Sequence, residues 1–271
     1  MFGLELGLII ILIAVGILLG IGSGFTGISA VNLIVPILYT VFLLNIVTSL
    51  GTSLLIDVIS AGTVTYLYSR HRNVDFKIGI LMGGISFGFA ILGALIAFTI
   101  AATSERLLAS SFGYFQIIIG ATFIYRGIKR PAISENGKLG KPKLAVLLEK
   151  VPENYKKVMV ICAAVILGLI GGLFGAGGGF VITFILVFVF AFESHKAVGT
   201  ACLVMLFTAS GAVIFYATQM SVDYMFGAIL GICCILGAFL GTKLAHRLSE
   251  KHLTIALGIV ILLFGIIMLL H

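Results

Sequence analysis

Polar residues are sparse enough in this chain to act as punctuation between apolar runs. The runs recur from end to end: Leu6 to Phe42, Ile46 to Ser69, Ile78 to Thr103, Leu107 to Tyr125, Val158 to Phe192, Ala197 to Met220, Tyr224 to Thr242 and Leu253 to Leu270. About 20 consecutive apolar residues suffice for a helix to cross the hydrocarbon core of a bilayer. Between these runs nothing remains for a soluble domain, so the pattern predicts an all-α polytopic membrane protein. Two runs, Leu6 to Phe42 and Val158 to Phe192, are too long for one helix at about 1.5 Å per residue. Each is interrupted near its middle by glycines. In the second, Gly172 to Gly179 reads GLFGAGGG, five glycines in eight residues. Each glycine inside a helix costs about 1 kcal/mol against alanine, so such a cluster breaks the helix. Each long run is therefore expected to be a spanning helix, a break near Gly27 to Val31 or Gly175 to Gly179, and a second, shorter helix. Ten helical elements result.

The chain also repeats itself. Gly20, Gly24 and Gly27 match Gly168, Gly172 and Gly175; Gly51-Thr52 matches Gly199-Thr200; Tyr68 matches Tyr216 and Val74-Asp75 matches Val222-Asp223. Gly79, Gly83 and Gly93 match Gly227, Gly231 and Gly241, all at a constant offset of 148 residues. Ser104-Glu105 and Gly120 then match Ser249-Glu250 and Gly265 at an offset of 145. A constant register that includes Thr, Tyr and Asp is the mark of a duplication. It divides the chain into a first transmembrane repeat (1–126), a basic linker (127–157) and a second repeat (158–271). Within the linker, the segment LAVLLEK reads as a short surface helix.

Composition agrees: 61% of the residues are hydrophobic and 10% charged, with a mean hydropathy of +1.25, where soluble domains carry about a quarter charged residues. The net charge of +7 calls for no nucleic-acid partner, because membrane proteins gather Lys and Arg on cytoplasmic loops. That rule tests the topology. Five crossings per half with an outside N-terminus put 16 of the 17 basic residues inside, whereas four crossings per half leave 12 inside. An odd count makes the halves inverted, with both termini outside the cell membrane and the linker cytoplasmic. The N-terminal MFGLELG lacks the basic region of a cleaved signal peptide, so the first helix is expected to be retained.

Irregular backbone at membrane depth survives only where protein buries it or where it lines a watery cavity. The short helix after each break begins with unpaired N–H groups and the positive end of a helix dipole, which together favour an anion. Inversion brings the breaks together at the midplane, the expected substrate site of an inverted-repeat transporter. The residues expected to hold the anion are Gly27, Ser29 and Ala30 in the first half, Gly175, Gly177, Gly178 and Gly179 in the second, with help from Thr52 and Thr200. Gly79, Gly83, Gly88 and Gly93, spaced along one apolar helix, are instead expected to serve close packing.

Asp57 is the one acid deep in a spanning run. A charge there costs roughly 2.5 to 3.5 kcal/mol on insertion scales and marks a functional candidate. Its repeat mate is Met205, so the symmetric scaffold does not require it, and Asp57 is a candidate proton carrier that relieves its repulsion of an anion when protonated. Thr52, Ser53 and Thr200 are expected chiefly to cap helices, and Asn32 and Gln116 to hydrogen-bond between helices. Cys162, Cys202, Cys233 and Cys234 lie in apolar runs without metal-ligand spacing and read as core residues. Neither a metal nor a cofactor is expected. An intramembrane enzyme would need a Ser-His pair, a zinc set or two acids at one depth, and all five His fall at expected helix ends. The better rival is a cation transporter or channel using Asp57.

The pattern G-x3-G-x2-G-x-G-G-G-x4-P at the start of each half, followed by a GTS helix and a G-x-V-D-like turn, resembles the TauE/SafE (DUF81) family of membrane transporters over nearly the whole chain. The first copy keeps Gly20, Gly24, Gly27 and Pro36 but reads Ser29-Ala30-Val31 at the glycine triplet. The second keeps Gly168, Gly172, Gly175 and Gly177-Gly178-Gly179 but has Phe184 for the proline. The resemblance implies export of small sulfur-containing anions such as sulfite or sulfonates; the glycines alone imply only an anion.

Overall fold

In a computed structural model, residues 2–129, 153–175, 179–190, 192–244 and 250–270 are described. They form ten helices: α1 (Phe2–Thr26), α2 (Val31–Thr40), α3 (Ile46–Arg70), α4 (Phe76–Thr103), α5 (Glu105–Lys129), α6 (Glu153–Phe174), α7 (Gly179–Val189), α8 (Ser194–Thr218), α9 (Tyr224–Leu244) and α10 (Glu250–Leu270). Five helices within the described residues, α3, α4, α5, α8 and α9, carry segments long and apolar enough to cross a membrane. Both long runs are broken where the glycines stand. Gly27 and Gly175, 148 residues apart, adopt left-handed φ values of +70° and +66°, a conformation that glycine tolerates and that ends a helix. The LAVLLEK segment lies outside the described residues.

The halves interlock rather than lying side by side. α1 packs on α9 and α6 on α4; α3 packs on α8 and α5 on α10. The most extensive contacts between halves recur with the partners exchanged, as a two-fold relation requires. Gly24 of α1 lies against Ala238 of α9, and Gly172 of α6 against Ala90 of α4. Gly51 meets the Ser221 carbonyl, and Gly199 that of Asn73; Gly79 meets Leu203, and Gly227 meets Leu55. These glycines let backbones approach closely, the means by which helices associate where lipid is as apolar as the core. Gly79, Gly83 and Gly93 pack as expected, but Gly88 has open space beside it, so its glycine serves no contact among the described residues.

The repeated Val-Asp turns are clasped in the same reciprocal way. Thr200 Oγ1 accepts the Asp75 N–H (2.9 Å), and Thr52 Oγ1 accepts the Asp223 N–H (2.8 Å). Asp75 and Asp223 in turn cap α4 and α9, accepting from Ile78 and Phe226. One clasp carries a charge the other lacks, the Lys196–Asp75 ion pair at 3.0 Å; residue 48, the mate of Lys196, is threonine. Burial alone would raise the Asp75 carboxyl, but the Lys196 ammonium and the amides of the first turn of α4 outweigh it and hold the group below the usual carboxylate range. The resulting stability is present above that range and fades as pH falls towards the depressed value. Both partners are partly exposed, which limits the pair to about 0 to 1 kcal/mol. Asp75→Asn is expected to lower the melting temperature of the detergent-solubilised protein at pH 7 by at most a few degrees, with the difference from the wild type shrinking as pH falls below the usual carboxylate range. A constant difference across this range would show that the ion pair contributes nothing.

Candidate site at the two helix breaks

A broken helix leaves carbonyls without intrahelical partners at its end and N–H groups without partners at the next beginning. At membrane depth each must be served from within the protein. At the first break Gly27 N–H returns to the Ser23 carbonyl (2.8 Å), and the Gly24 carbonyl accepts the Tyr68 hydroxyl (3.0 Å). At the second, the Gly172 carbonyl accepts the Tyr216 hydroxyl at 3.4 Å. The matched tyrosines are thus braces for the matched breaks. Pro36 lacks an N–H and so frees the carbonyl of Asn32 four residues earlier; Gln116 Nε2 of α5 donates to that oxygen at 2.7 Å. In the second half Phe184 replaces the proline and Ile261 stands in the place of Gln116, so need and remedy are absent together.

The breaks meet. A Cβ on Gly179, the first residue of α7, would collide with the Gly27 carbonyl and lie 2.9 Å from Met205 Sδ. A Cβ on Gly27 would touch Val198, Thr183 and Cys202 of the other half, and one on Gly175 would touch Leu50 and Val31. Asp57 closes the first break. Its Oδ1 accepts the Ala30 N–H at 2.6 Å and its Oδ2 accepts the Ser29 hydroxyl, with all three residues buried. Ser60 of α3 bonds Ser23 of α1 one turn further on (3.0 Å).

Two cavities are lined by residues that also take part in this centre. One, of about 380 Å³, is lined by Ser29, Asn32 and Gly179 at the breaks and by apolar side chains of α5, α6 and α7, among them Phe115, Cys162 and Ile166. The other, of about 1080 Å³, opens at the ends of α3 and α9 and the start of α8, where Arg70, His71, His195 and Lys243 line it. Tyr68 joins this basic vestibule to the first break, because it lines the one and braces the other.

The profile of the sulfite exporter TauE/SafE family matches residues 12–268. The chain belongs to this family. It is similar to the probable membrane transporter protein YunE of Bacillus subtilis, with 24% identity over 266 residues that cover 94% of this chain and 95% of the relative. It is also similar to the probable membrane transporter protein MJ0441 of Methanocaldococcus jannaschii, with 27% identity covering 96% and 95%. A probable membrane transporter protein of Xylella fastidiosa is 40% identical over 116 residues, 42% of this chain and 43% of that one. No solved structure matches it. The relatives carry the names of transporters, in keeping with the reading of this TauE/SafE protein as a membrane transporter and not an enzyme.

Of the site residues expected from sequence, Gly27, Ser29, Ala30, Asp57, Gly175 and Gly179 lie in or against the breaks of this family member. Gly177 and Gly178 lie outside the described residues. Thr52 and Thr200 do not cap the starts of their helices. α3 and α8 begin six residues earlier, at Ile46 and Ser194, and the two hydroxyls clasp the Val-Asp turns of the opposite half. The N-terminus of α3 is served instead by Asn45 Oδ1, which accepts from Thr48 N (2.7 Å), and by Glu105 of α5, which accepts from Ile46 N (2.8 Å). Sequence reading did not reach Glu105 or Ser23, since each acts through a contact distant in the chain. Tyr68 and Tyr216 were visible as a repeated pair, but without their partner carbonyls.

Proposed function

We propose that this TauE/SafE protein is a secondary transporter that exports small sulfur-containing anions, sulfite or organosulfonates, with transport coupled to protons carried by Asp57. The observation that carries the reading is the meeting of two helix breaks whose donors, Ser29 Oγ and Ala30 N–H, already hold a carboxylate. The anion is held between the breaks by the backbone amides that follow Gly27, as far as Ala30, and by those of Gly175 to Gly179, while Thr52 and Thr200 keep the flanking helices in register through their clasps. The apolar wall of the smaller cavity suits the carbon portion of a sulfonate. The halves are inverted, with both termini outside and the linker inside. The distribution of basic residues supports this, since the two-fold exchange of contacts is compatible with either orientation. The basic vestibule is then the cytoplasmic entrance and draws anions from that side.

A cation path through Asp57 is less well supported. A cation needs free acceptor oxygens, and both oxygens of Asp57 take hydrogens from donors of the break. Purified protein in liposomes is expected to move labelled sulfite, faster under an imposed pH gradient, with the gradient response lost in Asp57→Asn. Movement of a sodium tracer that depends on Asp57, with no sulfite movement, would put the cation reading in its place.

A further inference from the structure

The two breaks are built to one plan, yet the residue that each receives from the third helix of its own half differs. Asp57 of α3 reaches the first break; its repeat mate Met205 of α8 lies against the second, with Sδ beside Gly179. A thioether is at best a weak acceptor. A carboxylate has the charge and the oxygen geometry of the ligand such a break is built to bind. Asp57 uses both oxygens in this way, on the Ala30 N–H and the Ser29 hydroxyl, and no Lys, Arg or His among the described residues forms an ion pair with it. The first break therefore holds an anion that belongs to the chain itself.

We propose that Asp57 is a tethered competitor of the transported anion: while its carboxylate occupies the Ser29–Ala30 donors an external anion cannot use them, and the break becomes a substrate site only when Asp57 withdraws or is neutralised. This deepens the function proposed above and rests on it. Asn32 supplies the place for the incoming ligand. It is 4% exposed, it lines the cavity beside Ser29, and its side-chain oxygen has no partner among the described residues. Turning that amide about would offer its NH2 group to an anion lodged there. Competition of this kind couples anion and proton without a second gate, because proton uptake by Asp57 and anion binding at Ser29–Ala30 become one event and the two ligands move together. Cys202 of α8 and Cys234 of α9 are the titratable side chains that face Asp57 from the neighbouring helices; both are neutral thiols, and replacing either with alanine is expected to leave the pH dependence in place.

The test is equilibrium binding of ethanesulfonate and of sulfite to the purified full-length protein in detergent, between pH 5.5 and 8.5. Ethanesulfonate keeps its charge throughout this range, so any pH dependence belongs to the protein. Wild-type affinity for it is expected to weaken as pH rises. A site whose donors are free only a small fraction of the time binds more weakly by that fraction, so Asp57→Asn and Asp57→Ala should tighten binding by roughly tenfold or more at pH 8.5. Both variants should also flatten the pH profile. Asparagine still offers an oxygen to the Ala30 N–H, which protects the fold if the alanine variant is unstable. Binding that is flat with pH in the wild type and no tighter in Asp57→Asn would overturn the competitor role while leaving an anion transporter intact. Failure of both anions to bind wild type and variants alike would remove the functional reading, and this proposal with it.

Discussion

Gly172→Val is expected to abolish accumulation of folded protein in the membrane. Gly172 lies where α6 crosses α4, and a Cβ there would sit inside contact distance of the Ala90 carbonyl and 2.7 Å from the Ala94 nitrogen. These neighbours are backbone, which cannot swing aside as a side chain can, so the helices must separate. Overpacking a core costs about 1 to 3 kcal/mol and occasionally more. Here it also removes the Tyr216 hydrogen bond to the Gly172 carbonyl, worth about 1 kcal/mol. Against a total stability of about 5 to 15 kcal/mol, that is a large share for one site. The control is Gly88→Ala, where the structure leaves open space; with nothing to collide, removing a helical glycine is expected to be neutral or to stabilise by up to about 1 kcal/mol. Melting curves and size-exclusion profiles in detergent read both. Equal yields and melting temperatures for the two variants would show that close approach of α6 and α4 is not what holds the halves together.

The second large effect is expected at Gly179, where the breaks touch. Gly179→Val places two methyl groups between the Gly27 carbonyl and Met205 Sδ. Unlike Gly172, this glycine begins a short helix beside a cavity, so local displacement can relieve the clash without parting long helices. A displacement costing about 3 kcal/mol leaves the paired arrangement of the breaks populated about a hundredfold less. Sulfite flux in liposomes should fall accordingly, while the protein remains monodisperse and retains most of its thermal stability. Met205→Ala in the same chain should not restore flux, because the backbone carbonyl still obstructs. Wild-type flux in Gly179→Val would mean that transport does not depend on contact between the breaks.

Much of this architecture was legible in the linear chain, and for definite reasons. Apolar run length identified the helices, since a bilayer imposes one minimum length on every span. The two over-long runs announced the breaks, because glycine at φ near +70° has no good substitute. Matched positions such as Gly51 and Gly199, or Tyr68 and Tyr216, announced the duplication. The site was legible only in part. Asp57 stood out by its cost in the membrane, but its attachment to Ser29 and Ala30 spans nearly 30 residues of sequence. Thr52 and Thr200 looked like caps because each follows a glycine. They turned out to bind turns 171 and 125 residues away, a distance over which local propensity carries no information. Gly88 illustrates the converse, fitting a packing stripe in sequence but facing open space.

The sequence by itself determined that the chain is helical, lives in a bilayer, repeats its pattern of glycines at a constant offset, and breaks one helix in each half; all of these follow from composition, period and backbone propensity, which are local. Only the tertiary structure decided that the halves interlock with exchanged partners, that the breaks touch, and that the first is filled by the carboxylate of Asp57 while the second faces the thioether of Met205. These depend on which groups meet across the bundle, and at membrane depth every carbonyl or amide released by a break must find such a partner within the protein.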